Sequence, residues 1–129
     1  MRDLRRYDDQ PHRRAKGDLG ERAAERWLEG QGYRIVARNV FTRAGELDLV
    51  ALDGEVLCFI EIKSRATDEF GPAIAAVGAA KRRRIARAAA HFLARNRSRR
   101  ACRFDVLGLD REGESWRFTL VRDAFAARF

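Results

Sequence analysis

The sequence is poor in the residues that build zinc sites, disulfide frameworks and membrane spans. Its 129 residues include only two cysteines and two histidines. Cys58 and Cys102 fit no metal-ligand spacing, and His12 and His91 are too far apart to suggest a zinc site or a histidine-centred triad. No apolar run approaches the roughly 18 residues that read as a transmembrane helix, and the N-terminus lacks the apolar core of a secretory signal. These absences predict a cytoplasmic protein with no membrane partner.

Acidic residues are outnumbered by basic ones. The chain has 27 Lys and Arg against 19 Asp and Glu, a net charge of +8. This balance favours a polyanionic partner such as nucleic acid, although a compositional bias toward Arg and Ala would produce it as well. Residues 81–100 contain no acidic residue, whereas a solvated helix face normally mixes both signs. The candidate nucleic-acid contacts are Arg65, Lys81, Arg82, Arg83, Arg84 and Arg87. Arg65 follows the hairpin described next, where an exposed loop residue is an equal alternative.

Residues 46–63 predict a β-hairpin, because two apolar runs flank Asp53-Gly54, a dipeptide typical of a type I′ turn. With that turn, residue 52 pairs with residue 55, and Glu46 lies opposite Glu61. Side chains alternate between the faces of a strand. Leu47, Leu49 and Ala51 therefore share one face, and the other carries four charged side chains: Glu46, Asp48, Glu61 and Lys63.

Three carboxylates on one patch of sheet repel one another and need a counter-charge. Lys63 supplies one positive charge, and a divalent cation would supply more. Oxygen ligands on a rigid sheet suit Mg²⁺ or Mn²⁺ better than zinc. The alternative is a solvent-facing sheet surface with cross-strand ion pairs, which is common in antiparallel sheets.

The remaining sequence predicts one mixed α/β domain over residues 16–129, preceded by a basic, disordered tail at residues 1–15. The long helix would connect the third and fourth strands, which are then parallel. Periodicity predicts helices over 17–31, 73–96 and 123–127, and further strands over 33–41, 103–109 and 115–121. Asp105, in the fourth strand, is expected to be paired structurally rather than to bind metal.

Short motifs along the chain match one protein family. Asp48 followed by Glu61-Ile62-Lys63 matches the D…(D/E)-x-K signature of restriction-endonuclease-like nucleases. Further matches are GxxGE at 17–21, Gly-Tyr at 32–33, Asn39, GELDLVA at 45–51, FIEIKSR at 59–65, Phe70-Gly71, Lys81 and RFDV at 103–106. In this order and spacing they resemble the YraN family of uncharacterised bacterial proteins, which is similar to the archaeal Holliday-junction resolvases. The resemblance covers residues 16–125, with Leu47 where a proline often precedes the aspartate.

The resemblance implies a restriction-endonuclease-like core, with a five-stranded mixed sheet, an N-terminal helix and a long crossover helix. It also implies a Mg²⁺ or Mn²⁺ site in which Asp48 and Glu61 are ligands. The hairpin itself offers the Ile62 carbonyl and Glu46 as further oxygen donors, with Glu46 either a ligand or a group that positions water. Lys63 would orient the attacking water and stabilise charge in the transition state.

Two further residues admit a structural and a functional interpretation. Glu21 matches the glutamate that reaches the metal site from the first helix of the resolvase-like families. Asp18 and Glu21 would equally form a capping box at the start of that helix. Lys81 falls on the apolar face of the long helix, where a lysine either extends its ammonium group to solvent or points toward the carboxylates. In the resolvase-like families a polar residue on this helix completes the site.

Three functions are consistent with these features. The first is a metal-dependent endonuclease acting on DNA, with the resemblance implying branched or structured DNA and, because such junctions are two-fold, a homodimer. The second is a nuclease-fold protein that binds nucleic acid without cutting it. The third is an interaction protein whose charged hairpin face packs against another subunit.

Overall fold

The computed structural model describes the backbone of residues 18–65 and 77–126. The predicted tail at 1–15 lies outside the described residues, as do residues 66–76 and 127–129. Two helices and five strands follow one another as α1 (Asp18–Gly30), β1 (Tyr33–Thr42), β2 (Gly45–Asp53), β3 (Val56–Arg65), α2 (Ala79–Asn96), β4 (Cys102–Glu112) and β5 (Ser115–Val121).

The five strands form one sheet in the order β1-β2-β3-β4-β5. Neighbouring strands are antiparallel except β3 and β4, which are parallel and are connected through α2. A parallel pair needs a long crossover, and α2 supplies it. The predicted mixed α/β architecture, with an N-terminal helix and a later crossover helix, is confirmed.

The helices cover opposite faces of the sheet, because alternate residues of the central strands enter two separate apolar clusters. Leu57 and Phe59 pack with Phe92 and the other buried residues of α2. Cys58 and Ile60 pack with the buried face of α1. Burial of both sheet faces explains why the central strands are almost continuously apolar.

The hairpin turn differs from its prediction. Asp53 pairs with Val56, so the turn residues are Gly54 and Glu55. Gly54 has a φ of +61°, whereas Glu55 is not among the residues with positive φ. A type I′ turn requires positive φ at both positions, so that turn type is wrong. The register consequently moves by two residues, and Glu46 does not face Glu61.

One predicted helix end and one predicted helix are also wrong. Val77 and Gly78 precede α2, and Gly78 has an extended backbone with φ −87° and ψ 179°. The helix predicted from residue 123 is absent from the described residues 123–126. Asp123 has a left-handed φ of +55°, and its N–H donates to Asp105 at 2.9 Å. This contact turns the chain back toward β4 instead of starting a helix.

Asp105 is the centre of a buried polar network, as its structural interpretation predicted. Its carboxylate is fully buried and accepts hydrogen bonds from Arg103 Nε at 2.9 Å and Tyr33 Oη at 2.7 Å. Arg103 also pairs with Asp53 at 2.8 Å. Burial would raise the pKa of Asp105, but the hydrogen bonds from Arg103, Asp123 and Tyr33 outweigh it, so the pKa is lowered. The network joins β1, β2 and β4 at the hairpin-turn end of the sheet.

Candidate active site

The carboxylates of the predicted motif lie where β2 and β3 separate. The β2–β3 pairing extends from Asp53↔Val56 to Leu49↔Ile60, whereas β3 continues alongside β4 as far as Arg65. The next position on β2 is Asp48, and its Oδ2 accepts the Ile62 backbone N–H at 2.8 Å. The side chain of Asp48 thus satisfies a backbone donor that a longer ladder would have paired with β2.

An irregularity shared by β1 and β2 directs Asp48 into this gap. Arg38 pairs with Leu49, and Leu49 packs in the α1-side cluster; Val40 pairs with Leu47, and both pack in the α2-side cluster. The side of the sheet to which the side chains point therefore changes at the intervening residues, Asn39 and Asp48. Asn39 has a left-handed φ of +51°, which interrupts the strict alternation of an extended strand. The prediction that Leu47 and Leu49 share a face is wrong for this reason.

Asp48 and Glu61 form a pair of interacting carboxyl groups. Glu61 is 4% exposed, and it lies close enough to Asp48 to affect the pKa of Asp48. Burial raises the pKa of Asp48 well above its ordinary value, and the charge of Glu61 raises it further. The Ile62 N–H and the charge of Lys81 act in the opposite direction but do not cancel the increase.

A lysine from α2 neutralises part of this charge. Lys81 Nζ lies 2.9 Å from Glu61 Oε2, so the lysine on the apolar face of the helix points to the carboxylates. Burial alone would lower the pKa of Lys81, but the hydrogen bond and attraction from Glu61 and the attraction from Asp48 raise it. Lys63 is half-buried and lies close enough to Lys81 to affect the pKa of Lys81. Two carboxyl groups and two ammonium groups therefore converge at the fork between β2 and β3.

Glu21 and Asp48 line one small cleft between α1 and the sheet. The cleft also includes Glu25, Arg38 and Asn39, together with Leu49 and Ile62. Glu21 is thus placed beside the signature aspartate, as the functional interpretation expected. The side chain of Asp18, its partner in the alternative capping box, lies outside the described residues.

Glu46 stands apart from the fork. It is exposed and pairs in register with Phe41, close to the β1–β2 turn. Continuing the observed β2–β3 register would place it across from Lys63 rather than Glu61. Glu46 also takes part in an interaction of its own.

The arginines in the first turns of α2 are all exposed, and Arg82 in addition makes local contacts. Arg82 donates to the Val77 carbonyl at 3.1 Å and lies over the Phe125 ring, with its guanidinium carbon 5.5 Å from the ring centroid. The side chains of Arg83, Arg84 and Arg87 are exposed. Arg65 is the last residue of β3, and its side chain lies outside the described residues. Because Lys81 reaches Glu61 from the first turn of α2, the basic helix begins beside the carboxylates.

Sequence reasoning missed the contacts that hold the cleft wall. Glu25 on α1 forms a two-pronged ion pair with Arg38 on β1, at 2.9 and 3.1 Å. Asn39 belongs to the family motif. Its residue type also gives a weak indication of the left-handed backbone, since asparagine tolerates this conformation better than most residues do. The pairing of Glu25 with Arg38 had no sequence signal, because the two residues belong to different elements.

The donor set suits a magnesium-type ion that keeps several waters. Within residues 20–64 and 77–126, no three histidine, cysteine, aspartate or glutamate side chains are grouped so as to hold a metal. Mg²⁺, however, is commonly bound by one or two carboxylates plus waters and substrate phosphate. Asp48 and Glu61 provide the two carboxylates. Since the N–H of Ile62 points to Asp48, its carbonyl faces the same gap, as both groups of one strand residue point to the same edge.

Comparison with known proteins identifies the family. The model of the uncharacterised protein family UPF0102 matches residues 20–109. The chain belongs to this family. A UPF0102 protein of Symbiobacterium thermophilum is 47% identical over 116 residues, covering 88% of this chain and 98% of the relative. A UPF0102 protein of Alkalilimnicola ehrlichii is 45% identical over 113 residues, covering 86% of each chain. One of Bordetella avium is 46% identical over 114 residues, covering 88% of this chain and 76% of the relative.

UPF0102 membership bears out the expected YraN-family resemblance over most of the chain. The matched region includes α1 from Gly20 onward, the whole β2–β3 fork and α2, and therefore every described residue of the candidate site. Among the described residues, no helix has the length and apolar character required to cross a membrane.

Proposed function

We propose that this UPF0102 protein is a metal-dependent endonuclease that hydrolyses phosphodiester bonds in DNA. The observation that carries the proposal is the meeting of Asp48 and Glu61 at the fork, with Lys63 two residues further along β3. Enclosing a buried and a half-buried carboxyl group beside one another opposes folding, because each charged group loses solvation. Such an arrangement is typical of a functional site.

The residues would divide the chemistry between them. Asp48, Glu61 and the Ile62 carbonyl would hold Mg²⁺ or Mn²⁺, with Glu21 contributing through water. The ion supplies charge neutralisation at the phosphate and a more acidic water. Lys63 would orient the attacking water and stabilise negative charge on the phosphate as the bond breaks. None of these groups reads a base, so the site itself favours no sequence.

The basic start of α2 supports a nucleic-acid substrate. Lys81 lies at the fork, and the exposed Arg83, Arg84 and Arg87 follow within two turns of the helix. Arginine side chains arranged in this way bind the phosphate backbone without sequence preference. The resemblance to Holliday-junction resolvases favours branched DNA, and a two-fold junction favours a homodimer.

One observation favours a second function, nucleic-acid binding without cleavage. The 2.9 Å ion pair with Lys81 already gives Glu61 a positively charged partner. A site neutralised in this way could persist as a structural feature while the basic helix binds phosphate. The acidic pair would then have no catalytic task.

Cleavage of labelled duplex, single-stranded, flap and four-way-junction DNA distinguishes these functions. We expect cutting in Mg²⁺ or Mn²⁺ that is abolished by chelation and by Lys63→Ala. Arg99→Met is a matched control, because it also removes one positive charge but lies beyond the far end of α2. Binding of all substrates without cutting by the wild-type protein would support the second function and contradict the first.

A further inference from the structure

Glu61 is the most enclosed charged group at the fork, and its ion-pair partner comes from another element. The side chain of Glu61 is 4% exposed, whereas that of Lys81 is 37% exposed. A carboxylate this enclosed needs a cation or a proton, and Lys81 provides the cation at 2.9 Å. Asp48 also attracts Lys81, so one ammonium group acts on both carboxyl groups.

This ammonium group already contacts one of the oxygens that a metal bound by the pair could use. A metal ion held by Asp48 and Glu61 would bring a second positive charge to the carboxylate oxygens of Glu61, one of which already contacts Lys81. Two cations cannot both lie within bonding distance of those oxygens without strong repulsion at short range.

On this basis, and resting on the proposed metal site, we infer that Lys81 is an internal counter-ion that competes with the metal for Glu61. In the metal-free protein Lys81 holds the carboxyl pair together. When a divalent cation binds, Lys81 leaves Glu61 and extends into solvent. The flexible stem and the partial exposure of Lys81 permit this movement without a change in α2. The released ammonium group is then available to a phosphate of the substrate.

Competition between Lys81 and the metal for Glu61 predicts how Lys81 affects the affinity for the metal. If Lys81 and the metal exclude each other at Glu61, removing the lysine charge must tighten metal binding, since binding no longer breaks an ion pair. We expect Lys81→Met to bind Mn²⁺ at least about fivefold more tightly than the wild type, the lower end of typical coupling between two ligands. We also expect its metal-free melting temperature to fall, because Glu61 loses its partner.

Calorimetric titration of Mn²⁺ into the DNA-free protein tests the inference without any measurement of cleavage. Lys81→Gln is a second variant that keeps a hydrogen-bond donor for Glu61 but removes the charge, and it should show the same tighter binding even if the Met variant folds poorly. Arg99→Met loses the same net charge away from the fork and should retain wild-type affinity.

The possible outcomes separate the two proposals. Tighter binding in both Lys81 variants but not in Arg99→Met supports the counter-ion role. A second outcome is that the wild type binds Mn²⁺ in a way that needs Asp48, while the Lys81 variants bind Mn²⁺ equally or more weakly. That result overturns the counter-ion role and leaves the metal site intact. Absence of Mn²⁺ binding from the wild type and both Lys81 variants overturns the counter-ion role and the metal-dependent function together.

Discussion

Replacing aspartate by asparagine is expected to change the free energy of unfolding in opposite directions at two positions of the sheet. Asp48 faces Glu61 and its pKa is raised, chiefly by burial, so its ionised form opposes folding. Asn at position 48 would keep an oxygen for the Ile62 N–H but would carry no charge. We therefore expect Asp48→Asn to increase the free energy of unfolding of the metal-free protein by about 1–2 kcal/mol, as commonly occurs when a functional site is relieved of its unfavourable groups.

Asp105→Asn is the matched control for the chemical change. Asp105 is fully buried, pairs with Arg103 at 2.9 Å and accepts from the N–H of Asp123. Removing the charge from one partner of a buried ion pair is expected to lower the free energy of unfolding by about 3–5 kcal/mol. Asp53→Asn, which affects the more exposed partner of Arg103, should have a smaller effect of about 1 kcal/mol or less.

The pH dependence of the two effects also differs in sign. An aspartate in the unfolded chain has a pKa of about 3.9. The folded-state pKa of Asp48 is raised, so Asp48 does not destabilise the fold at pH values below the unfolded-state pKa. Its destabilising effect increases as pH rises from the unfolded-state pKa toward the folded-state pKa. Because the folded-state pKa of Asp105 is lowered, its stabilising effect is present above the unfolded value and is lost only as pH falls through the lower folded pKa.

Urea denaturation without divalent metal, at about pH 7 and about pH 4.5, measures both effects. The gain from Asp48→Asn should shrink at the lower pH, whereas the loss from Asp105→Asn should persist. A decrease in stability of more than about 1 kcal/mol in Asp48→Asn at pH 7 would refute the reasoning. It would show that the ionised carboxylate supports the fold rather than a function.

Three further predictions concern the basic helix, the core and the thiols. Arg84→Ser combined with Arg87→Ser should weaken DNA binding and reduce the slope of log affinity against log salt by about 2; an unchanged slope would contradict phosphate contact. Phe92→Ala should lower the free energy of unfolding by about 3–5 kcal/mol in urea, because Phe92 is fully buried and packs edge-on against another ring; a loss below 1 kcal/mol would contradict this packing. Burial raises the pKa of Cys58 to about 12. An alkylating reagent at about pH 8 should therefore label the partly exposed Cys102 faster than Cys58, and faster labelling of Cys58 would contradict this prediction.

The sequence predicted the elements of the sheet better than their details. Moving the hairpin turn by one residue, from Asp53-Gly54 to Gly54-Glu55, shifts each cross-strand partner by two. The observed register makes Asp48 and Glu61 the next positions after the Leu49–Ile60 pair, so the two carboxyl groups still meet. The reversal of facing at Asn39 and Asp48 could not be predicted, because it depends on a left-handed residue in one strand and its neighbour in the next.

Tertiary contacts explain the remaining differences between the sequence-based predictions and the structure. Lys81 was recognisable as a charged residue on an apolar helix face, but only the placement of α2 shows that Glu61 is its partner. The segment after β5 was expected to be helical from its local pattern. The backbone of Asp123 instead donates to Asp105, a residue 18 positions earlier in the chain. Local propensity cannot anticipate a contact of that separation.

The most direct test of the proposed function is the cleavage rate of Asp48→Asn relative to the wild type on four-way-junction DNA in saturating Mg²⁺. We expect a loss of at least about 100-fold, of the size seen when groups that stabilise charge in the transition state are removed. Because this variant is expected to be more stable than the wild type, misfolding would not explain the loss. Metal-dependent cleavage that continues at the wild-type rate would contradict the assignment of the Asp48–Glu61 fork as the active site.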